Sequence, residues 1–147
     1  MTFVAENNET LKLKKLRILL IEDDEIERMK FKRVCEKNDF CHTVMEASNG
    51  EVALTILNGD KLPDLILLDL NMPKMDGIEF LKKLKETEAL KFIPIIVLST
   101  SNNYNDVKQC YEIGASGYMI KPLHFEEYKQ KIISLIKYWE CNELITD

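Results

Sequence analysis

The sequence predicts an α/β protein in which a parallel five-stranded sheet is covered by helices on both faces, a three-layer (βα)5 sandwich. Short apolar runs alternate with amphipathic helical patterns five times along the chain, which is typical of parallel strands joined by helical crossovers. The chain has 147 residues, of which 46% are hydrophobic and 31% are charged. This length and composition fit one globular domain with a packed core and are too small for two.

The strands are predicted from apolar runs that are too short for helices. Leu65 to Asp69 is the clearest, since four apolar residues end in a carboxylate, and Ile18 to Ile21 is continuous enough to be buried on both faces. The strand at Thr43 to Ala47 has a weaker pattern. The predicted strands are residues 17–21, 43–47, 65–69, 95–99 and 117–120.

Helices are predicted between and after the strands, from apolar residues at three- and four-residue spacing. The first is expected from about Asp24 to Glu36, and the fourth is expected to end at Gly114, a residue type that favours helix termination. Phe125 to Trp139 has the clearest amphipathic stripe. The second helix is expected to begin at Asn49-Gly50, and the third is expected after the loop marked by Gly77.

We expect residues 16–141 to form the domain, residues 1–15 to be a flexible N-terminal extension and residues 142–147 to be a C-terminal tail. The net charge is −5 and the basic residues are spread along the chain, which argues against nucleic-acid binding. No apolar run approaches the roughly 20 residues that span a bilayer. The start also lacks the pattern of a signal peptide, so a cytoplasmic protein without membrane partners is expected.

Acidic, hydroxyl and basic residues follow the predicted strands. Glu22 and Asp23 follow the first strand, Asp69 ends the third, Ser99 ends the fourth and Lys121 follows the fifth. Parallel sheets place functional groups beyond the carboxyl ends of their strands. If these four strands are neighbours, the side chains converge on one small patch.

This combination fits phosphoryl transfer, which needs positioning and neutralisation of negative charge. Asp69 could attack phosphorus and hold it as an acyl phosphate. The two other acids would repel an incoming phosphate unless a cation were bound, and Mg²⁺ suits such oxygen ligands. Lys121 and the Ser99 hydroxyl would then pair with phosphoryl oxygens.

At these residues the chain resembles the receivers of two-component response regulators, over nearly all of residues 16–139. The resemblance implies the flavodoxin-like strand order 2-1-3-4-5, for which receivers are among the known examples. Four segments carry it: I-L-L-I-E-D-D, L-I-L-L-D-L-N-M-P-K-M-D-G, P-I-I-V-L-S-T-S and G-A-S-G-Y-M-I-K-P-L.

The resemblance also implies a role for each residue of the strand-end patch. Glu22 and Asp23 would be the acidic pair, Asp69 the phosphoacceptor, and Asn71 would lend its backbone carbonyl to Mg²⁺. Lys121 would bind the phosphoryl group. In this family, Asp is frequent where this chain has Glu22, and both residues supply a carboxylate.

A switch is implied as well. Ser99 would be the switch hydroxyl, because family members place it five residues after the proline that opens strand four, although the adjacent Thr100 is an alternative. Tyr118 would be the aromatic that moves inward when this hydroxyl is drawn toward phosphate. Receivers also hold the bond before Pro122 in the cis form, a state that is tolerable only before proline.

The implied function is to accept a phosphoryl group from a sensor histidine kinase or a phosphotransfer protein and to signal by a change of shape. Such a protein catalyses only its own Mg²⁺-dependent phosphorylation and dephosphorylation and is not an enzyme in the usual sense. The signal would reach a downstream protein, or a second copy through helix 4, strand 5 and helix 5. Within the family, the chain looks nearest to short single-domain members associated with bacterial phytochrome kinases.

Three other classes of function would use part of this pattern. A nucleotide-binding fold would need a Gly-rich phosphate loop after the first strand, where this chain has the acidic Glu22-Asp23-Asp24. A haloacid-dehalogenase-type phosphatase needs a second Asp two residues after the nucleophile, where this chain has Asn71. The remaining alternative is a pseudo-receiver, a protein-binding module that works without phosphorylation. Such modules typically lose the acceptor, the lysine or the acids, and all of these are present here.

Overall fold

Five strands alternate with five helices in the computed structural model, which describes residues 15–38, 42–72 and 75–145. The strands agree with the predicted ranges, except that the third ends one residue earlier, just before Asp69. The strands are β1 Arg17–Ile21, β2 Thr43–Ala47, β3 Leu65–Leu68, β4 Ile95–Ser99 and β5 Gly117–Ile120. The helices are α1 Glu25–Lys37, α2 Gly50–Leu57, α3 Gly77–Glu86, α4 Tyr104–Ile113 and α5 Phe125–Glu140.

All neighbouring strands are parallel, and their order is β2-β1-β3-β4-β5. The predicted flavodoxin-like order is therefore confirmed. The register pairs Ile21 with Leu68 and Leu68 with Val97, so β1, β3 and β4 end close together. At the neighbouring edge, Ser99 pairs with Ile120. The residues that follow these strands consequently meet at one edge of the sheet.

The core lies on both faces of the sheet because successive strand residues point to opposite sides. On one face, Ile18 and Leu20 pack with Phe31 of α1 and Ile132 of α5. On the other face, strand residues such as Leu19 pack with residues of α2, α3 and α4, among them Leu57, Phe80 and Cys110. Burial on two sides explains why the central strands read as continuous apolar runs.

Asn and Asp residues begin four of the helices. Asp24, Asn49, Asp76 and Asn103 are the N-caps of α1 to α4, and each side chain accepts a hydrogen bond from a backbone N–H in the first turn. These bonds satisfy donors that would otherwise lack partners. Gly114 ends α4 with φ at 129°, a conformation that glycine adopts without a steric penalty.

Two expectations from the sequence are not met or not covered. The structure contains no cis peptide bond among the described residues, so the expected cis bond before Pro122 is wrong; the trans form is also the one favoured by about 0.5–1 kcal/mol before proline. The predicted flexible extension lies, apart from Lys15, outside the described residues. None of the helices in the described part of the chain is long and apolar enough to cross a bilayer.

Candidate functional site

Three carboxylates meet at the carboxyl end of the sheet. Glu22 and Asp23 follow β1 and Asp69 follows β3, and one oxygen of each lies within 4.8 Å of the others. Glu22 and Asp69 are only 4% and 8% exposed, whereas Asp23 is exposed. The predicted convergence of these acids is thus present in the structure.

Lys121 brings a positive charge into this cluster from the loop after β5. Its Nζ donates to Glu22 Oε1 at 2.6 Å and lies 3.8 Å from Asp69 Oδ1. Nζ also lies 3.8 Å from an oxygen of Glu27, in the first turn of α1. One ammonium group therefore faces three carboxylates and contacts Glu22 most closely.

Backbone hydrogen bonds hold the acids in place by extending the sheet one residue past its strands. The Glu22 N–H donates to the Ala47 carbonyl at 2.9 Å, and the Asp69 N–H donates to the Ile21 carbonyl at 3.0 Å. Arg28 adds a side-chain contact, since its Nη1 donates to the Glu22 carbonyl at 2.7 Å. The two buried carboxylates are therefore placed by rigid elements.

Gly77 allows the β3–α3 loop to pass close to Asp69. A Cβ at this position would lie 2.7 Å from the Asp69 carbonyl oxygen and 2.5 Å from the Leu70 Cα. Because both atoms belong to the backbone, they cannot give way as a flexible side chain would. The Gly77 N–H also donates to the Leu70 carbonyl at 2.9 Å, which closes the loop.

Burial and mutual repulsion make the negative charges of this site costly. Burial raises the pKa of Glu22 from 4.5 to about 7, although Lys121 opposes this increase and Asp69 adds to it. Burial likewise raises the pKa of Asp69, against the lowering effect of Lys121. Burial disfavours the charged form of Lys121, but the hydrogen bond to Glu22 and the surrounding acids outweigh it and raise its pKa.

The donor set fits a hard divalent cation. Carboxylate oxygens are the ligands that Mg²⁺ and Mn²⁺ prefer, and a few of them suffice when water or substrate oxygens complete the coordination shell. A bound cation would also offset the repulsion that raises the pKa values of Glu22 and Asp69. Glu22, Asp23 and Asp69 could therefore hold such an ion, whereas metal binding by the Asn71 carbonyl stays a prediction.

The predicted switch residues form a second group beside the acids. Ser99 is fully buried and Thr100 is exposed. The Ser99 Oγ accepts a hydrogen bond from the Ser101 N–H at 3.1 Å, and the Tyr118 hydroxyl donates to the Ser101 carbonyl at 2.8 Å. Tyr118 packs against the core and so already lies on the inner side. The Lys121 N–H donates to the Ser99 carbonyl at 2.8 Å and joins the two groups.

Three polar residues near the site were not singled out from the sequence. Glu27 and Arg28 lie in the first turn of α1, whose N-cap is Asp24. Glu27 lies near Lys121, and Arg28 contacts the Glu22 carbonyl just after β1. Asp106 contacts Ser101 from the first turn of α4. Their short spacing from Glu22 and Ser99 was a usable signal, since the first turn of a helix after a strand lies near the strand end.

Sequence comparison assigns the chain to a known class. The family model of the response regulator receiver domain matches residues 18–133. The chain therefore belongs to the response regulator receiver family. Its function is that of a phosphoacceptor in two-component signalling, and it is a signalling protein rather than an enzyme with a separate substrate.

The chain is also similar to individual receivers. It is 37% identical over 127 residues to the probable methanogenesis regulatory protein FilR2 of Methanothrix harundinacea, covering 83% of this chain and 82% of that protein. It is 32% identical over 128 residues to the response regulator Rcp1 of Synechocystis sp., covering 83% and 87%.

Solved structures agree with this assignment. The phosphorylated cyanobacterial phytochrome response regulator RcpA has a TM-score of 0.84 at 31% identity, covering 90% of this chain and all 100% of that one. The Mn(2+)-bound form of Rcp1 has a TM-score of 0.81 at 32% identity, covering 88% and 98%. The predicted similarity to phytochrome-associated response regulators is confirmed.

Proposed function

We propose that Asp69 is the residue that accepts the phosphoryl group, and that the donor is a sensor histidine kinase or a phosphotransfer protein. The observation that carries this proposal is the meeting of three carboxylates with Lys121 at the strand ends. An acid cluster facing a single ammonium group is suited to binding a cation and a phosphoryl group together.

Asp69 is the buried acid of this cluster that Lys121 contacts less closely. The Glu22 carboxylate is held by Lys121 at 2.6 Å and by the Asp24 N–H at 3.2 Å, and Asp23 is exposed to solvent. Asp69 is buried, and Lys121 stays 3.8 Å from it. An oxygen of Asp69 can therefore attack phosphorus and form the acyl phosphate. The P–N bond of the phosphohistidine breaks, and the imidazole stays on the donor.

Mg²⁺ is the proposed cofactor, held by Glu22, Asp23, Asp69 and the Asn71 carbonyl. It would supply the positive charge that lets the acids and an incoming phosphoryl group come together. The Mn²⁺-bound form of Rcp1, a relative, supports a divalent cation. Lys121 can turn from Glu22 toward a phosphoryl oxygen, since its flexible stem carries a point charge. The chain would thus catalyse its own phosphorylation and dephosphorylation.

Ser99 and Tyr118 are the proposed switch. The Ser99 hydroxyl accepts one hydrogen bond in this structure and keeps its proton as a donor for a phosphoryl oxygen. Phosphorylation would favour the state in which Ser99 is drawn to the phosphoryl group and Tyr118 stays on the inner side. The face of α4, β5 and α5 would then change, and it exposes Tyr104, Tyr111 and Ile120 to a downstream protein or a second copy.

The phosphodonor would dock beside the site, where α1 and the loop before α5 adjoin. Ile26 and Met29 on α1 are exposed, and Leu123 is 94% exposed. Ile26 and Met29 flank Glu27 and Arg28, which contact Lys121 and the Glu22 carbonyl, and Leu123 follows Lys121 by two residues. A cytoplasmic location goes with this role, because kinases that form phosphohistidine consume cytoplasmic ATP.

The test is the intact mass of the protein after incubation with acetyl phosphate and Mg²⁺. We expect one phosphoryl adduct on the native chain and on Asp60→Asn, a matched change at an exposed site. We expect no adduct on Asp69→Asn, and none on the native chain when a chelator replaces Mg²⁺. If the folded native chain accepted no phosphoryl group from acetyl phosphate or from any kinase, the pseudo-receiver alternative would replace this proposal.

A further inference from the structure

Ser101 connects the switch residues to the start of α4. Its N–H donates to Ser99 Oγ at 3.1 Å, and its carbonyl accepts from the Tyr118 hydroxyl at 2.8 Å. Its own hydroxyl donates to Asp106 Oδ2 at 2.6 Å and accepts from the Asn103 N–H at 3.2 Å. Every hydrogen-bonding group of Ser101 is therefore engaged, and its partners come from β4, β5 and α4.

The bond to Asp106 is separate from the capping of α4. The N-cap is Asn103, whose side chain accepts from the Asn105 N–H at 2.8 Å. Ser101 precedes this cap by two residues and reaches past it to a carboxylate in the first turn. A hydroxyl-to-carboxylate bond of this length is charge-assisted and stronger than a neutral one. It fixes the first turn of α4 to the residue that holds Ser99 and Tyr118.

We infer that Ser101 is a positioning residue whose hydroxyl bond to Asp106 carries a movement of the Ser99 hydroxyl to the first turn of α4. The inference rests on the proposed function, in which Ser99 moves toward a phosphoryl group on Asp69. That movement pulls on or breaks the bond from the Ser101 N–H. The hydroxyl of the same residue then shifts with its backbone, so Asp106 in the first turn of α4 loses or changes its partner.

The experiment compares amide hydrogen exchange in residues 104–113 with and without the phosphoryl group, in the native chain and in Ser101→Ala. In the native chain, phosphorylation should change exchange in the first turn of α4 by about fivefold, the effect of one hydrogen bond. Ser101→Ala should take up the phosphoryl group as the native chain does, but phosphorylation should leave its α4 exchange nearly unchanged. Ser101→Thr keeps the hydroxyl and should restore the response.

A purely structural role for Ser101 predicts a different result. It would speed exchange in α4 equally in both states and leave the difference between them intact. Ser116→Ala, at an exposed serine between α4 and β5, is the matched control and should respond as the native chain does. Asp106→Ala tests the same link from the helix, and Asp106→Asn keeps an acceptor, so these two report on the inference even if Ser101→Ala does not fold.

The outcomes separate this inference from the proposed function. If Ser101→Ala and Asp106→Ala both accept the phosphoryl group and their α4 exchange responds as in the native chain, the inference is wrong and the role of Asp69 stands. If the native chain is not phosphorylated at all, the proposed function and the inference fall together. The inference is supported if phosphorylation changes α4 exchange in the native chain, Ser101→Thr and Asp106→Asn, and if this change is lost in both alanine variants.

Discussion

Lys121 forms its shortest contact in the site with Glu22, at 2.6 Å, and stays 3.8 Å from Asp69, the proposed phosphoacceptor. The lysine thus pairs with one of the acids proposed to bind the metal and makes no direct hydrogen bond to Asp69. Binding of a cation at the acids would release this ammonium group for a phosphoryl oxygen. These two contacts lead to predictions of how stability and phosphorylation change with substitution, pH and metal binding.

Replacing Lys121 by Gln should destabilise the metal-free protein by about 2 kcal/mol at pH 7, because two buried acids lose their counter-charge. Added Mg²⁺ should recover much of this loss by taking over the neutralising role. Urea unfolding with and without Mg²⁺ measures both effects. Lys91→Gln is the control, since its pair with Glu88 is exposed and should change stability by less than about 1 kcal/mol. Equal losses in both variants would contradict the account.

Stability should depend on pH through Glu22. Its pKa is higher in the folded chain, about 7 against 4.5, so the folded state binds the proton more tightly than the unfolded state does. The contribution of Glu22 to stability therefore falls as the pH rises from 4.5 to about 7 and stays low above that range. The pKa of Asp69 is also raised in the folded chain.

The difference between the native chain and Glu22→Gln isolates this effect. In metal-free buffer, the variant should gain on the order of 2 kcal/mol relative to the native chain between pH 5 and pH 8. Unfolding in urea at both pH values measures the gain. A difference that did not vary with pH, or that had the opposite sign, would show that burial does not control the pKa of Glu22.

Gly77→Ala should affect both stability and phosphorylation. The new methyl group would overlap backbone atoms of Asp69 and Leu70, which should cost about 1–3 kcal/mol. Displacing Asp69 by a fraction of an ångström should also slow uptake from acetyl phosphate by about tenfold. Gly59→Ala, at an exposed position away from the site, should leave the rate unchanged. An unaffected rate in Gly77→Ala would mean that the β3–α3 loop does not position Asp69.

A buried pair far from the site should contribute to stability alone. The Leu16 N–H donates to His42 Nδ1 at 2.9 Å, which leaves Nε2 to donate to Glu140 Oε2 at 2.6 Å. This hydrogen bond connects the last residue of α5 with the residue before β2. The His42 and Glu140 side chains are buried, at 3% and 8% exposed. Removing one partner of a buried hydrogen bond to a carboxylate costs about 2 kcal/mol.

Glu140→Ala should therefore lower the free energy of unfolding by about that amount while phosphoryl uptake by the folded protein stays normal. Glu126→Ala is the matched control on the same helix, because its contact with Lys129 is exposed. Thermal and urea unfolding, together with the phosphorylation assay at low temperature, separate the two properties. A loss of uptake in a folded Glu140→Ala protein would tie this pair to the site.

Much of the fold could be predicted because the apolar residues in the sequence are the ones that the fold buries. Strands such as Leu65–Leu68 are apolar throughout since helices cover both faces. The positions of Glu22, Asp69 and Lys121 followed from a general property of parallel sheets, that strand ends meet at one edge. Their proximity could therefore be predicted without knowing any side-chain contact.

The contacts that depend on packing could not be predicted in the same way. His42 and Glu140 are 98 residues apart, and their spacing in the sequence gives no sign of a contact. The contacts of Ser101 with Asp106 and Tyr118 are set by the path of the loop before α4. The trans bond before Pro122 is a choice between two states of similar energy, which local sequence decides poorly.

The most direct test of the central claim, that Asp69 carries the phosphoryl group, is to trap the acyl phosphate chemically. Borohydride reduces an acyl phosphate to an alcohol and would convert a phosphorylated Asp69 to homoserine, which tandem mass spectrometry locates in a peptide. We predict homoserine at position 69 alone, dependent on both Mg²⁺ and the phosphodonor. Reduction at Glu22 or Asp23, or a phosphorylated protein with no reduced residue at position 69, would contradict the account.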